Sequence, residues 1–207
     1  MPTAREALLN AALTALERRP WSAVRMVDVA SAASVSRQTL YNEFGSKDGL
    51  ARALVRREAD TYLKGADRVL AERAGDAEQL VRLAEWTVAE AGSRPLLRAL
   101  LTGSWHERLP APRPAARHGG SGVPAQRRAD AGHPAPGELV AAVRDRSLAA
   151  LVPGTGRRTG EGEVEAAERC ELAVRLALSC VVAGPADGVG RLVRAALSGP
   201  GWRAADR

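Results

Sequence analysis

Residues 25–50, RMVDVASAASVSRQTLYNEFGSKDGL, constrain this chain more than any other stretch. Met26, Val27, Val29, Ala30 and Ala33 supply the apolar positions of one short helix, and Ser34 and Val35 make a turn. Ser36 is placed to cap a second helix, since its hydroxyl can accept from a backbone N–H two or three residues on. In that helix, over residues 36–43, Leu40 and Phe44 stand four apart and face inward, so Arg37, Gln38, Thr39, Tyr41 and Asn42 are left outward. Packing alone gives a short helix no reason to crowd such side chains on its exposed face. They are the types that reach base edges and phosphates in a major groove. The stretch predicts a helix-turn-helix.

The run SVSRQTLYNEFGSKDGL resembles the recognition-helix signature of the TetR family of transcriptional regulators. A hydroxyl residue follows Val, a Thr-Leu-Tyr step comes next, Phe stands three residues later, and Lys opens the following helix. The resemblance covers about the first quarter of the chain. It implies an all-α fold: an N-terminal three-helix DNA-binding head with a helix-turn-helix, residues 1–50, and a C-terminal antiparallel helical body, residues 51–207, that forms a dimer four-helix bundle. It also implies that Thr39 and Tyr41 contact backbone or bases, that Leu40 and Phe44 are core, and that Lys47 meets a phosphate at a helix N-terminus. Two positions depart from the pattern. Ser34 stands where the family has Gly, in a turn that favours positive φ. Arg25 stands where Thr usually opens the first motif helix; it cannot cap that helix as Thr would, but it can bind a phosphate.

Composition adds little. With 45% apolar residues a core is available, and with only 3% aromatics it must be built from Leu, Val and Ala, which favours packed helices. The net charge of +6 permits nucleic-acid binding without singling it out. Only Lys47 and Lys64 are lysines, a skew that fits a GC-rich coding sequence. No window approaches a membrane-spanning apolar run and the N-terminus has no hydrophobic signal core, so the expected location is the cytoplasm. Cys170 and Cys180 fall on different faces of one predicted helix, which argues against a disulfide between them.

In chain order, the pattern predicts a first helix over residues 3–18, ended by Pro20, with Trp21 packed beneath the motif. A fourth helix runs from Lys47 to about Leu63, with Arg52, Arg56 and Arg57 as a solvated face or a second set of phosphate contacts. An amphipathic helix over residues 76–91, capped by Asp76 and broken by Gly92 and Pro95, repeats Leu80, Leu83, Ala84, Thr87, Val88 and Ala91 at helical spacing. Another short helix covers 96–102. Residues 110–137 then lose aliphatic periodicity altogether. Their Pro, Gly, Ala, Arg and His content describes either a disordered loop or a translated wrong reading frame. Order returns with a helix over 138–152, a long one over 163–183 that is apolar nearly all round toward its end, and a last one opened by Asp187. Two C-terminal helices with more apolar surface than one body covers predict a two-fold dimer.

The expected partner is therefore double-stranded DNA with a palindromic operator, read by Arg25, Ser36, Arg37, Gln38, Thr39, Tyr41, Asn42 and Lys47. Arg37 suits guanine and Gln38 adenine. No catalytic residue, cofactor or metal site is expected: His106, His118 and His133 are the only histidines, HGGSG lacks the strand and helix a phosphate loop needs, and no Cys/His set has ligand spacing. A small apolar effector is expected between the body helices, with Trp86, Thr87, Trp105 and His106 as the candidate pocket. The alternative is a constitutive or degenerate regulator with no working effector pocket.

Overall fold

The structure is a computed structural model describing residues 3–72, 74–111, 134–151, 160–184 and 188–198. The described residues form nine α-helices and no strand. They are α1 (Ala4–Arg18), α2 (Met26–Ala32), α3 (Arg37–Phe44), α4 (Lys47–Leu70), α5 (Asp76–Ser93), α6 (Pro95–Thr102), α7 (Pro136–Leu151), α8 (Gly160–Ala183) and α9 (Val189–Leu197). The chain divides into two compact units, Met1–Ala59 with Ser104–Pro134 and Asp60–Gly103 with Ala135–Arg207.

In the first unit, α1 starts at a capping box. The Thr3 hydroxyl accepts from the Glu6 N–H at 3.2 Å while the Thr3 N–H donates to Glu6 Oε2 at 2.8 Å. The helix stops at Arg19, which stands before Pro20 and is driven extended, at φ −146° and ψ 154°. Leu8, Leu9 and Ala12 of α1 pack with Val29 and Ala30 of α2, Leu40 and Phe44 of α3, and Leu50 and Leu54 of α4. Trp21 lies in a single 3₁₀ turn, Trp21–Ala23, and is buried in the same core, as the sequence predicts. Its N–H donates to the Arg108 carbonyl at 2.9 Å, so the chain after α6 lies against this turn.

Arg52 and Arg57 of α4 do not belong to a solvated face. Arg52 is only 5% exposed. Arg57 donates to Asn10 Oδ1 at 2.7 Å and to the Leu9 carbonyl at 3.1 Å, which ties α4 to α1 and takes it out of the set of free phosphate contacts. The helix also outruns its expected end near Leu63. Tyr62, Ala66 and Leu70 continue a buried i, i+4, i+8 row, and Gly65 causes no break because the Trp86 indole fills the space beside it.

In the second unit, Leu80, Val81 and Ala84 of α5 meet Cys170, Ala173, Ala177 and Cys180 of α8 and Val189, Val193 and Leu197 of α9. Both cysteines are free and buried, and burial pushes the Cys170 thiol up to about 11. Arg194 clamps α9 to α5 by donating to both Glu78 carboxylate oxygens, at 3.2 and 3.1 Å. Several helix ends differ from expectation. Asp76 is the first residue of α5, not its cap; Gly75 holds the cap position, and Asp76 instead complements the helix dipole. Gly92 lies inside α5, which ends only where Arg94 turns extended before Pro95. The helix α7 begins at Pro136 because Glu138 accepts from the Ala135 N–H at 2.8 Å and satisfies the helix start. The helix α8 begins at Gly160. Asp187 and most of the expected 110–137 loop lie outside the described residues.

Candidate nucleic-acid interface

The turn before α3 depends on one residue in a left-handed conformation. Ser34 has φ 53°, the only positive φ among the described non-glycine residues, at the position where the TetR pattern has Gly. The Ser34 N–H donates to the Ser31 carbonyl at 3.0 Å, and the Val35 N–H donates to the Ala30 carbonyl at 3.0 Å, closing the turn. Ser36 then caps α3, its hydroxyl accepting from the Thr39 N–H at 3.0 Å. The Ser36 and Thr39 hydroxyls share a further hydrogen bond of 2.8 Å. At the far end, Gly45 leaves the helix at φ 69°.

Leu40 and Phe44 are each 1% exposed and anchor α3 from beneath. Behind the helix, the Arg5 guanidinium lies 4.7 Å from the centre of the Phe44 ring and pairs with the Glu43 carboxylate at 3.2 Å. With those two side chains inward, Arg37, Gln38, Tyr41 and Asn42 are exposed and Thr39 is half-buried. The structure therefore gathers six of the eight expected DNA-contacting residues, Ser36, Arg37, Gln38, Thr39, Tyr41 and Asn42, on α3 and its cap. Gln38 Nε2 donates to Asn42 Oδ1 at 2.9 Å.

Arg25 and Lys47 lie at other helix starts. Arg25 occupies the cap position of α2 without a side-chain capping bond, as its type requires, and its guanidinium extends into solvent 4.0 Å from Asp28. Lys47 opens α4. Its ammonium donates to the Ser22 carbonyl at 3.1 Å and lies 5.3 Å from the centre of the Trp21 ring. Burial pushes the Lys47 pKa down from the ordinary lysine value. Two of its three N–H donors remain for an anion. Ser46, which sequence reasoning passed over, caps this helix: its hydroxyl accepts from the Gly49 N–H at 3.1 Å and its carbonyl from the Leu50 N–H at 3.0 Å. Arg5, Glu43 and Ser22 were equally invisible, because their roles arise from contacts remote in sequence. The Thr-x-x-Glu spacing at Thr3–Glu6 was a legible signal for the start of α1.

The candidate effector residues do not assemble within one unit. Trp86 and Thr87 belong to α5 in the second unit, while Trp105 and the exposed His106 belong to the segment assigned to the first. Trp86 stacks on Tyr62, with ring centres 5.3 Å apart and planes 7° from parallel, and the Thr87 and Tyr62 hydroxyls share a buried hydrogen bond of 3.1 Å. Both side chains are engaged in packing. A cavity lined by Leu80, Leu151, Ala166, Arg169 and Leu197 holds only about 10 Å³, space for at most one water. In the head, a groove of about 460 Å³ lies between α1 and α2, lined by small side chains together with Asn10, Arg18, Arg19 and Asp28; none of the expected DNA-contacting residues borders it. Among the described residues no group of three His, Cys, Asp or Glu side chains could hold a metal ion, and no helix is long and apolar enough to cross a membrane.

Residues 8–54 match the family model of bacterial regulatory proteins, tetR family. Over 100 residues the chain is 40% identical to the HTH-type transcriptional regulator AlkX of Mycobacterium tuberculosis. That match takes in 48% of this chain and 47% of the relative, so the chain spans about half the length of the curated protein it matches. Two crystal structures share the fold across 93% of this chain at a TM-score of 0.53. One is the TetR-family repressor AlkX from a Dietzia strain, implicated in biodegradation of n-alkanes, 22% identical and 92% covered. The other is a tetR-family transcriptional regulator from Streptomyces coelicolor, 20% identical and 77% covered.

Proposed function

We propose that the chain is a member of the tetR family of bacterial regulatory proteins and a sequence-specific DNA-binding regulator, acting as a repressor on a palindromic operator. The observation that carries this reading is the exposed polar face of α3. Arg37, Gln38, Tyr41 and Asn42 stand clear of a helix whose opposite side is fixed by Leu40 and Phe44. Arg37 supplies the fork that suits guanine, and Thr39, Arg25 and the two remaining Lys47 donors suit phosphate oxygens.

One helix of eight residues spans only a few base pairs, so specificity calls for a second copy. The body has the surface for one. Val164, Val182 and Leu192 are 59%, 64% and 45% exposed on α8 and α9, large apolar side chains left in water by a single chain. A two-fold pair joined through these helices presents two α3 helices to half-sites about one turn, roughly 34 Å, apart. Selection of bound sequences from random DNA tests the reading. An enriched inverted repeat is the expected outcome, and recovery of unbiased sequence from dimeric protein at low salt would overturn it.

Release of the operator by a small apolar effector is the finer part of the proposal. The effector would have to bind the DNA-incompetent state more tightly than the competent one. The packing of Trp86 against Tyr62 favours the second reading, a regulator with no effector pocket at that place. A thermal-shift screen against apolar metabolites separates the two, since a ligand of the folded state raises the melting temperature by mass action.

A further inference from the structure

The two carboxamides exposed on α3 are joined to each other. Gln38 Nε2 donates to Asn42 Oδ1 at 2.9 Å across one helical turn. A primary amide carries one carbonyl acceptor and two N–H donors on different edges, and a free one turns over to suit whatever it meets. In this pair one Gln38 donor is committed to Asn42. The remaining edge of Gln38 offers a single donor beside its carbonyl oxygen.

Building on the DNA-reading role proposed above, we infer that Asn42 is a positioning residue that holds the Gln38 amide in one orientation, and that the pair thereby reads the adenine of an A·T base pair against guanine. Adenine presents N7 as acceptor and the N6 amino group as donor in the major groove, which matches one N–H beside one C=O. Guanine presents two acceptors, N7 and O6. An unrestrained Gln can turn both N–H bonds toward them. Once Asn42 has taken one of those bonds, O6 faces the Gln38 carbonyl oxygen, and two acceptors are left without a proton between them. Discrimination therefore comes from removing a donor. Asn42 does this from the surface of the same helix without needing to touch the base.

The test compares wild type with Gln38→Ala, Asn42→Ala, Asn42→Asp and the Gln38→Ala/Asn42→Ala double variant, using full-length dimer and competition between operators that differ at one base pair. All four changes lie on exposed positions, and circular dichroism checks that each variant is folded. Wild type should prefer adenine over guanine at one base pair per half-site by about fivefold or more. Asn42→Ala should lose most of that preference at the same base pair that Gln38→Ala relaxes, with the salt dependence unchanged. The double variant should be no worse there than Gln38→Ala alone, because both changes remove one interaction. Asn42→Asp keeps an oxygen to accept from Gln38 and should keep the preference for adenine, while binding all operators more weakly through repulsion by phosphates.

Loss of preference at a different base pair in Asn42→Ala would show Asn42 reading on its own and would overturn the inference. So would an undiminished adenine preference in that variant, or a wild type that prefers another base at the Gln38-dependent position. A wild type that prefers no sequence at all would instead overturn the regulator reading itself.

Discussion

Gly65→Ala asks whether Trp86 is packed or lines an open space. A Cβ at Gly65 would overlap Cζ2 of the indole and lie 2.6 Å from its Cη2. The ring has little freedom to retreat, because it is stacked on the Tyr62 ring, with centres 5.3 Å apart. Two effects oppose each other. Alanine is the better helix former by about 1 kcal/mol. Against that, forcing a methyl into a filled site costs about 1–3 kcal/mol, and disturbing the stack forfeits about 0.5–1.5 kcal/mol. The clash wins, with a net loss of about 2 kcal/mol, or a fall in melting temperature of about 4–8 °C for a chain of this size. Gly92 provides the control. It lies in α5 with nothing within 4 Å of an added Cβ, so Gly92→Ala should stabilise by about 0.5 kcal/mol. Urea titration followed by circular dichroism reads both. If Gly65→Ala proved as stable as wild type, the indole would have room to move, and Trp86 would return as the wall of a ligand space.

Tyr62 is 1% exposed, and burial pushes its phenol up to about 12. Since the unfolded phenol titrates near pH 10, the stabilisation is complete below that pH and is lost as the pH rises toward 12, by up to about 3 kcal/mol. Denaturation from pH 8 to 11.5 should show wild type losing its advantage over Tyr62→Phe; a constant gap would refute the burial argument. Ser36→Ala removes the cap of α3 and should cost about 1 kcal/mol of head stability, with weaker operator binding by fluorescence polarisation. Unchanged stability and binding would mean that the cap is dispensable. Lys47→Ala should weaken binding on every sequence and reduce the slope of log affinity against log salt by about one unit. A changed operator preference in that variant would show Lys47 reading sequence.

The motif was legible because its signals are local. The spacing of Leu40 and Phe44, the hydroxyl at Ser36 and the forced turn at Ser34 lie within a dozen residues of one another, and each appears in the structure where the pattern puts it. The repeat of Leu80, Leu83, Ala84, Thr87 and Ala91 likewise gave α5. Misreadings came where a distant partner overrides a local rule. The helix α4 looks finished near Leu63, yet it runs on to Leu70 with the Trp86 indole filling the space beside Gly65. Arg57 looks solvated until Asn10 and the Leu9 carbonyl accept from it. Asp76 looks like a cap, but the chain places Gly75 there. The sequence shows that Trp86 and Trp105 are both aromatic, and it does not show that they fall in different units.

An eight-residue helix does not hold its shape alone in water, so the reading face of α3 is only as ordered as what lies behind it. Arg5 is the polar part of that support. It contributes a cation–π contact worth about 0.5–1 kcal/mol and a half-buried ion pair with Glu43 worth about 0.5 kcal/mol after solvent screening. Arg5→Ala should therefore lower head stability by about 1 kcal/mol and loosen the C-terminal turn of α3, which carries Asn42. If Arg5 acts through Phe44 and Glu43, operator affinity falls while the number of phosphates neutralised stays the same, so the salt slope does not move. If Arg5 instead leaves Glu43 to grip the backbone of the duplex, the variant loses about one unit of slope on specific and random DNA alike. The titration thus decides whether Arg5 orders the reading helix or is itself a contact.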